Sequence, residues 1–85
     1  MDFPVFRSLN NNQVIYQINS DNDFVEIKRT GKFYSSNHYI ANQYPEKLRI
    51  HEMITNSENI FINLNKIEFD ELKFMWENTL NKIDF

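Results

Sequence analysis

The sequence predicts an α+β domain: a small, mostly antiparallel sheet of three to four strands with two or three helices packed on one face. Three observations carry that expectation. Apolar and polar residues alternate over several short runs, as in half-buried strands. The C-terminal segment repeats its apolar residues at helical spacing behind a capping sequence. Turn-forming residues, mostly Asn, separate the runs. The expected order is β-β-α-β-α-β-α, in one compact domain over residues 1–85.

Phe3 to Leu9 predicts the first strand, and Asn10-Asn11-Asn12 a turn, because Asn tolerates left-handed backbone angles. Val14, Tyr16 and Ile18 then share one face against Gln13, Gln17 and Asn19, completing a hairpin. The punctuation of the next segment is helical. Ser20 can cap, acids (Asp21, Asp23) follow, Lys28 and Arg29 come last, and Gly31 stands just past the end. A short helix over 21–29 is therefore expected. Lys32 to Ala41 predicts a strand, with Phe33 and Tyr39 on one face and Tyr34 and Ile40 on the other.

Pro45 suits the first turn of a helix, where its missing N–H is not needed. Ile50, Met53 and Ile54 follow at i, i+3, i+4, although Leu48-x-Ile50 also fits a strand. Residues 56–59 read as loop, and Ile60, Ile62 and Leu64 alternate as the last strand. Asn65 and Glu68 have the spacing of a capping box, and Leu64 and Phe69 that of a hydrophobic staple. Phe69, Leu72, Trp76, Leu80 and Ile83 fall in one arc of an amphipathic helix of about 17 residues. Tyr16 to Lys28 faintly echoes Phe61 to Lys73, each reading as strand, cap and helix; shared local physics accounts for this better than duplication.

Composition excludes several classes of function. Nine Lys and Arg against twelve Asp and Glu leave a net charge of −3, without the basic face of a histone-like protein. The absence of Cys removes disulfides, thiolate metal sites and cysteine nucleophiles. A single Gly removes the glycine-rich phosphate loops. No apolar run reaches the ~20 residues of a membrane span, and Met1 to Pro4 does not begin a signal peptide, so the cytoplasm is the expected compartment. Thirteen Asn, ten Ile and eight Phe have AT-rich codons, which reads as a low-GC bacterial genome.

No catalytic constellation emerges. His51-Glu52-Met53-Ile54-Thr55 begins like a zinc-protease motif, but Thr55 stands where the second imidazole belongs. Ser36 and His38 share a strand face as an ordinary surface pair. The acids Asp21/Asp23 and Asp70/Glu71 fall in first turns of expected helices, where the dipole explains them. No cofactor, metal or small-molecule substrate is expected.

Two binding readings remain. Lys28, Arg29 and Lys32 surround Gly31 and lead into Phe33 and Tyr34, the mixture of cations and stacking rings that holds single-stranded nucleic acid. Lys32 breaks the basic-Gly-aromatic order of the best-known version, so this is the alternative. On the C-terminal helix, Ile67 and Phe74 project away from the core arc, and Phe85 joins them if the helix continues. Either the N-terminal strand or the 56–59 loop covers this strip, or it is a binding surface. The leading expectation is a non-enzymatic protein-interaction domain using Ile67, Phe74 and Phe85. It would self-associate or bind one larger protein, with an immunity- or antitoxin-like version masking a basic partner.

Overall fold

The computed structural model describes residues 3–9 and 11–83. Its sheet is built around a strand (β2, Val14–Ser20) whose apolar side chains face both ways, preceded by β1 (Val5–Leu9) and followed by β3 (Asp23–Thr30) and β4 (Phe33–Ile40). Then come α1 (Tyr44–Thr55), β5 (Ile62–Leu64), α2 (Lys66–Thr79) and β6 (Asn81–Lys82). The six strands lie in the order β5-β1-β2-β3-β4-β6, antiparallel except for β6, which joins β4 in parallel.

The α+β class stands, but the element order is β-β-β-β-α-β-α-β and the sheet is larger than expected. The segment expected as a helix over 21–29 is β3, paired with β2 and β4 over its length. Its cues served two turns instead. The Ser20 hydroxyl lies 2.7 Å from Asn22 Oδ1 in the β2–β3 turn, and Gly31, at φ 60°, opens the two-residue β3–β4 hairpin. Glycine in that first central position is what a tight hairpin with right-twisted strands requires. The echo between residues 16–28 and 61–73 therefore dissolves, because only the second copy runs into a helix.

The two helices also lie on opposite faces of the sheet, not on one. Successive strand residues point to opposite sides, and β2 splits accordingly. Val14, Tyr16 and Ile18 pack with Phe24 of β3 and with Ile50 and Met53 of α1. Ile15 packs instead with Phe6, Ile27 and Tyr34 and with Phe69 and Trp76 of α2. The result is three layers, with the sheet in the middle.

Each helix is held by different means. In α2 the capping box forms as the sequence suggests: Glu68 N–H donates to Asn65 Oδ1 at 2.8 Å, and Asn65 N–H to Glu68 Oε1 at 3.0 Å. The helix is 14 residues long, shorter than its apolar arc implies, because its successors join the sheet. Asn81 N–H donates to Lys32 O and Ile83 N–H to Tyr34 O, both at 2.8 Å. The segment β5–α2–β6 thus runs from one edge of the sheet to the other. Trp76, on α2, is fully buried, with its indole N–H unpaired among the described residues.

By contrast, α1 lacks a side-chain N-cap and has no basic residue in its last turn. The missing cation comes from the sheet. Arg7 of β1 donates from Nε to Met53 O at 2.9 Å and from Nη2 to Ile54 O at 3.2 Å, while Nη1 reaches Phe6 O at 2.9 Å. Two carbonyls of the last turn, which have no partner within the helix, are satisfied by one guanidinium that also meets the negative end of the helix dipole. Burial lowers the Arg7 pKa from its ordinary value. Asn56 completes the end in the left-handed region (φ 48°), its side chain accepting from Phe61 N–H at 3.0 Å and donating to Phe61 O at 2.6 Å.

Replacing Arg7 by Ala leaves these carbonyls without their charged donor. We expect a loss of about 2–3 kcal/mol in urea denaturation, with Arg7→Lys recovering only part of it, since an ammonium cannot span the three oxygens.

Candidate functional site

The outer face of α2 presents the strip noted in the sequence. Phe69, Leu72 and Trp76 turn toward the sheet, which leaves Ile67 and Phe74, 69 % and 71 % exposed, on the solvent side. Seven residues apart, they lie on nearly the same helical line, separated by roughly 10 Å. Neither the N-terminal strand nor the 56–59 loop covers them. Phe85, the third residue expected there, lies outside the described residues. Met75, 45 % exposed and one position round from Phe74, enlarges the surface; its sequence signal was its adjacency to Phe74, off the core arc.

Charge both interrupts and flanks the strip, since Asp70 and Glu71 stand three and four positions from Ile67 and from Phe74. Within Lys66–Thr79 the acids Glu68, Asp70, Glu71 and Glu77 outnumber Lys66 and Lys73. Lys66 Nζ pairs with Asp70 Oδ2 at 2.7 Å along the exposed side, an arrangement worth only a few tenths of a kcal/mol. The helix is fastened at both ends, by its capping box and by the pairing of β6 with β4. Ile67 and Phe74 are therefore carried on a rigid element.

The five residues of the nucleic-acid reading are not brought together. The β3–β4 register puts Lys28 and Phe33 on the α1 side of the sheet, and Arg29 and Tyr34 on the α2 side. Tyr34 is core, 9 % exposed, and packed with Ile27 and Trp76. Lys32 stands in the hairpin turn. Stacking modules need their rings on one open face, and here Phe33 alone of the pair is open.

Polar clusters that the sequence did not indicate cross between elements. Arg49 Nη2 donates to the Tyr16 hydroxyl at 2.9 Å and to Glu26 Oε2 at 3.2 Å. The guanidinium carbon lies 5.6 Å from the Tyr16 ring centre and 5.9 Å from that of Phe24. Burial, with the Glu26 charge, pushes the Tyr16 hydroxyl above its ordinary pKa despite Arg49. It stays protonated, so the cluster offers a strut between α1 and the sheet and no activated oxygen. On the opposite face, Gln17, Asn19, Asp23 and His38 form a hydrogen-bonded chain. His38 meets Asp23 across the strands, whereas Ser36 had been the expected neighbour. Their relation becomes visible only when 23–30 is read as a strand.

Three shallow clefts, of about 160, 240 and 340 Å³, lie against the helices. The second, between α2 and the end of the sheet, is lined by Tyr34, Ser36, Lys73, Glu77 and Lys82 among others. Among the described residues no three His, Cys, Asp or Glu side chains gather as metal ligands, and no helix is long and apolar enough to cross a membrane. Comparison with protein-family models, with curated proteins and with solved structures returned no match.

The Asp23–His38 pair sets an acid response. The His38 hydrogen bond, aided by the Asn19 amide and opposed by burial, lowers the Asp23 carboxyl below its ordinary 3.8. A carboxyl lowered on folding contributes stability that is complete above its unfolded pKa and is lost as pH falls through the folded one. An NMR titration of the Asp23 carboxyl carbon should place its midpoint below 3.8, and His38→Ala should move it upward. An unmoved midpoint in that variant would remove His38 as the cause.

Proposed function

We propose that this chain is a non-enzymatic protein-interaction domain that docks through the outer face of α2. The observation that carries the reading is the exposure of Ile67 and Phe74, 69 % and 71 %, on one line of a helix anchored at both ends. Isolated apolar side chains are ordinary on a surface. Two on a single rigid line, with Asp70 and Glu71 between them and Met75 one position round from Phe74, offer two separate apolar contacts of the sort an interface uses.

The rim specifies the partner's chemistry. Asp70 and Glu71 lie between Ile67 and Phe74, with Glu68 and Glu77 to the sides, so the complementary surface combines apolar pockets with Lys or Arg set between and beside them. An immunity- or antitoxin-like protein that masks a basic enzyme is one version of this reading, and it fits the net charge of −3.

Phe74→Ser tests both halves of the argument. Because the ring is mostly in water, the substitution should shift stability by no more than about 0.5 kcal/mol, read by thermal denaturation. The same variant, and Ile67→Ser, should abolish capture of a basic partner that the unaltered protein retains at low salt and releases as salt rises. Capture unaffected by either substitution would rule out α2 as the docking surface, and unfolding of Phe74→Ser would make the strip part of the core.

A further inference from the structure

Among the described residues, one strand edge of the sheet is half covered. Along β4, β6 pairs only with Phe33 and Tyr34. Its bonds to Lys32 O and Tyr34 O show which way the backbone turns: even-numbered residues direct their polar groups away from β3. Ala41 N–H, of odd number, points the other way, to Asn22 O at 2.7 Å. The register from Asp23↔Ile40 to Thr30↔Phe33 is unbroken. The alternation of an antiparallel strand therefore aims the N–H and C=O of Ser36, His38 and Ile40 outward, and no described residue pairs with them.

This stretch lacks the devices that normally protect an edge. Ser36 to Ile40 contains no Pro, Gly, Lys, Arg, Asp or Glu. The opposite edge differs: β5 is three residues long, and the Asn56 side chain occupies the backbone just before it.

We propose that the outer edge of β4 joins two copies of this chain, pairing antiparallel through Ser36–Ile40 so that the two sheets become one. A second copy suits the edge better than an unrelated strand for three reasons. An antiparallel strand offers itself the same pattern of donors and acceptors about a two-fold axis, the commonest symmetry of dimers. The stretch carries no Lys, Arg, Asp or Glu, and its one basic side chain, His38, already has a partner in Asp23, so no row of like charges is set against its equivalent. Finally, β6 fixes the register. With the axis at His38, Ser36 faces Ile40 of the second copy and up to six backbone hydrogen bonds form. With the axis one residue earlier, Ile40 would meet Tyr34 of the second copy, whose carbonyl is already bonded to Ile83. Tyr39 and Ile40, 42 % and 49 % exposed in one copy, would be covered along the seam.

Sedimentation equilibrium over a range of concentrations, with amide exchange by NMR, tests this edge separately from α2. The expected result is a dimer in which the amides of Ser36, His38 and Ile40 gain protection as concentration rises. Ser36→Pro removes an outward N–H and spares the β3 ladder. It should raise the dimer dissociation constant ~30-fold or more, while Phe74→Ser leaves the dimer intact. A protein that stays monomeric at millimolar concentration, with the three amides exchanging freely, overturns the proposal. So does a dimer that survives Ser36→Pro and is lost in Phe74→Ser, since its contact is then α2. The exchange measurement on the unaltered protein decides the matter even if the proline variant does not fold.

Discussion

The burial of β2 from both sides is the constraint on which the structure rests. Val14, Tyr16 and Ile18 serve one layer and Ile15 the other, all four excluded from water. A slip of one residue would exchange the layers and send every side chain to the wrong helix. The turns that flank the strand guard against this. Asn11 and Asn12 hold left-handed angles (φ 54° and 66°) before it, and the register shifts between Ile18 and Ser20 at its end. Two small cores follow, separated by the sheet. The core under α1 draws on β1, β2 and β3, with the ring of Tyr39 of β4 stacked on Phe24 at its margin. The core under α2 reaches from Leu64 of β5 to Tyr34 of β4. A chain of 85 residues divided into three layers has little left to cover its outer surfaces, and both the far side of α2 and the part of β4 that no described residue pairs with are consequences.

The helices differ in how far they stand alone. In α2 the start is local, set by its own capping box, and the end follows from the pairing of β6 with β4. The C-terminal end of α1 and its seat on the sheet depend on distant partners. Arg7 is 46 and 47 residues from the carbonyls it caps, and Arg49 reaches 33 residues back to Tyr16. Each arginine works in the opposite sense, one from sheet to helix and one from helix to sheet. Together they fix α1 over the β1–β2 side of the sheet and leave the β4 side open.

This division between local and distant interactions decides what could be read from the sequence. The β1–β2 hairpin and the start of α2 rest on neighbouring residues and are legible in the sequence; the sequence allows either helix or strand after Pro45, where the chain forms α1, and its Ile60-to-Leu64 strand is formed over Ile62–Leu64. The segment from Ser20 to Gly31 misleads because its cues are shared. Ser followed by acids begins a helix or closes a turn, and a positive φ at Gly31 ends a helix or opens a hairpin. The strand's own signature is blurred as well, since Phe24 faces one core and Ile27 the other, which erases the clean alternation of a half-buried strand. Nothing in the sequence placed the helices on opposite faces, because that arrangement follows from pairing across the sheet. The candidate surface divides in the same way. Ile67 and Phe74 stand out on a helical wheel, whereas the β4 edge exists only once β6 has stopped after two residues.

The charge distribution separates the two surfaces. Through Tyr44 four basic residues balance four acidic ones; beyond it, eight acidic residues face five basic. The excess acid is thus concentrated toward α2, in an outer layer, while the open edge of β4 lies in the middle layer and is neutral. The proposed electrostatic partner would be drawn to the first, and a neutral strand would fit the second. The geometry also makes them compatible. Antiparallel pairing across a two-fold axis keeps like faces together, so two copies joined at β4 would form one sheet of twelve strands, six from each, with both α2 helices on the same side. Two acidic-rimmed apolar strips presented in one direction would engage a two-site or dimeric partner with an effective concentration that a monomer cannot supply. In that arrangement the unprotected edge sets the valency of the surface on α2, and the specificity stays with Ile67, Phe74 and the acids around them.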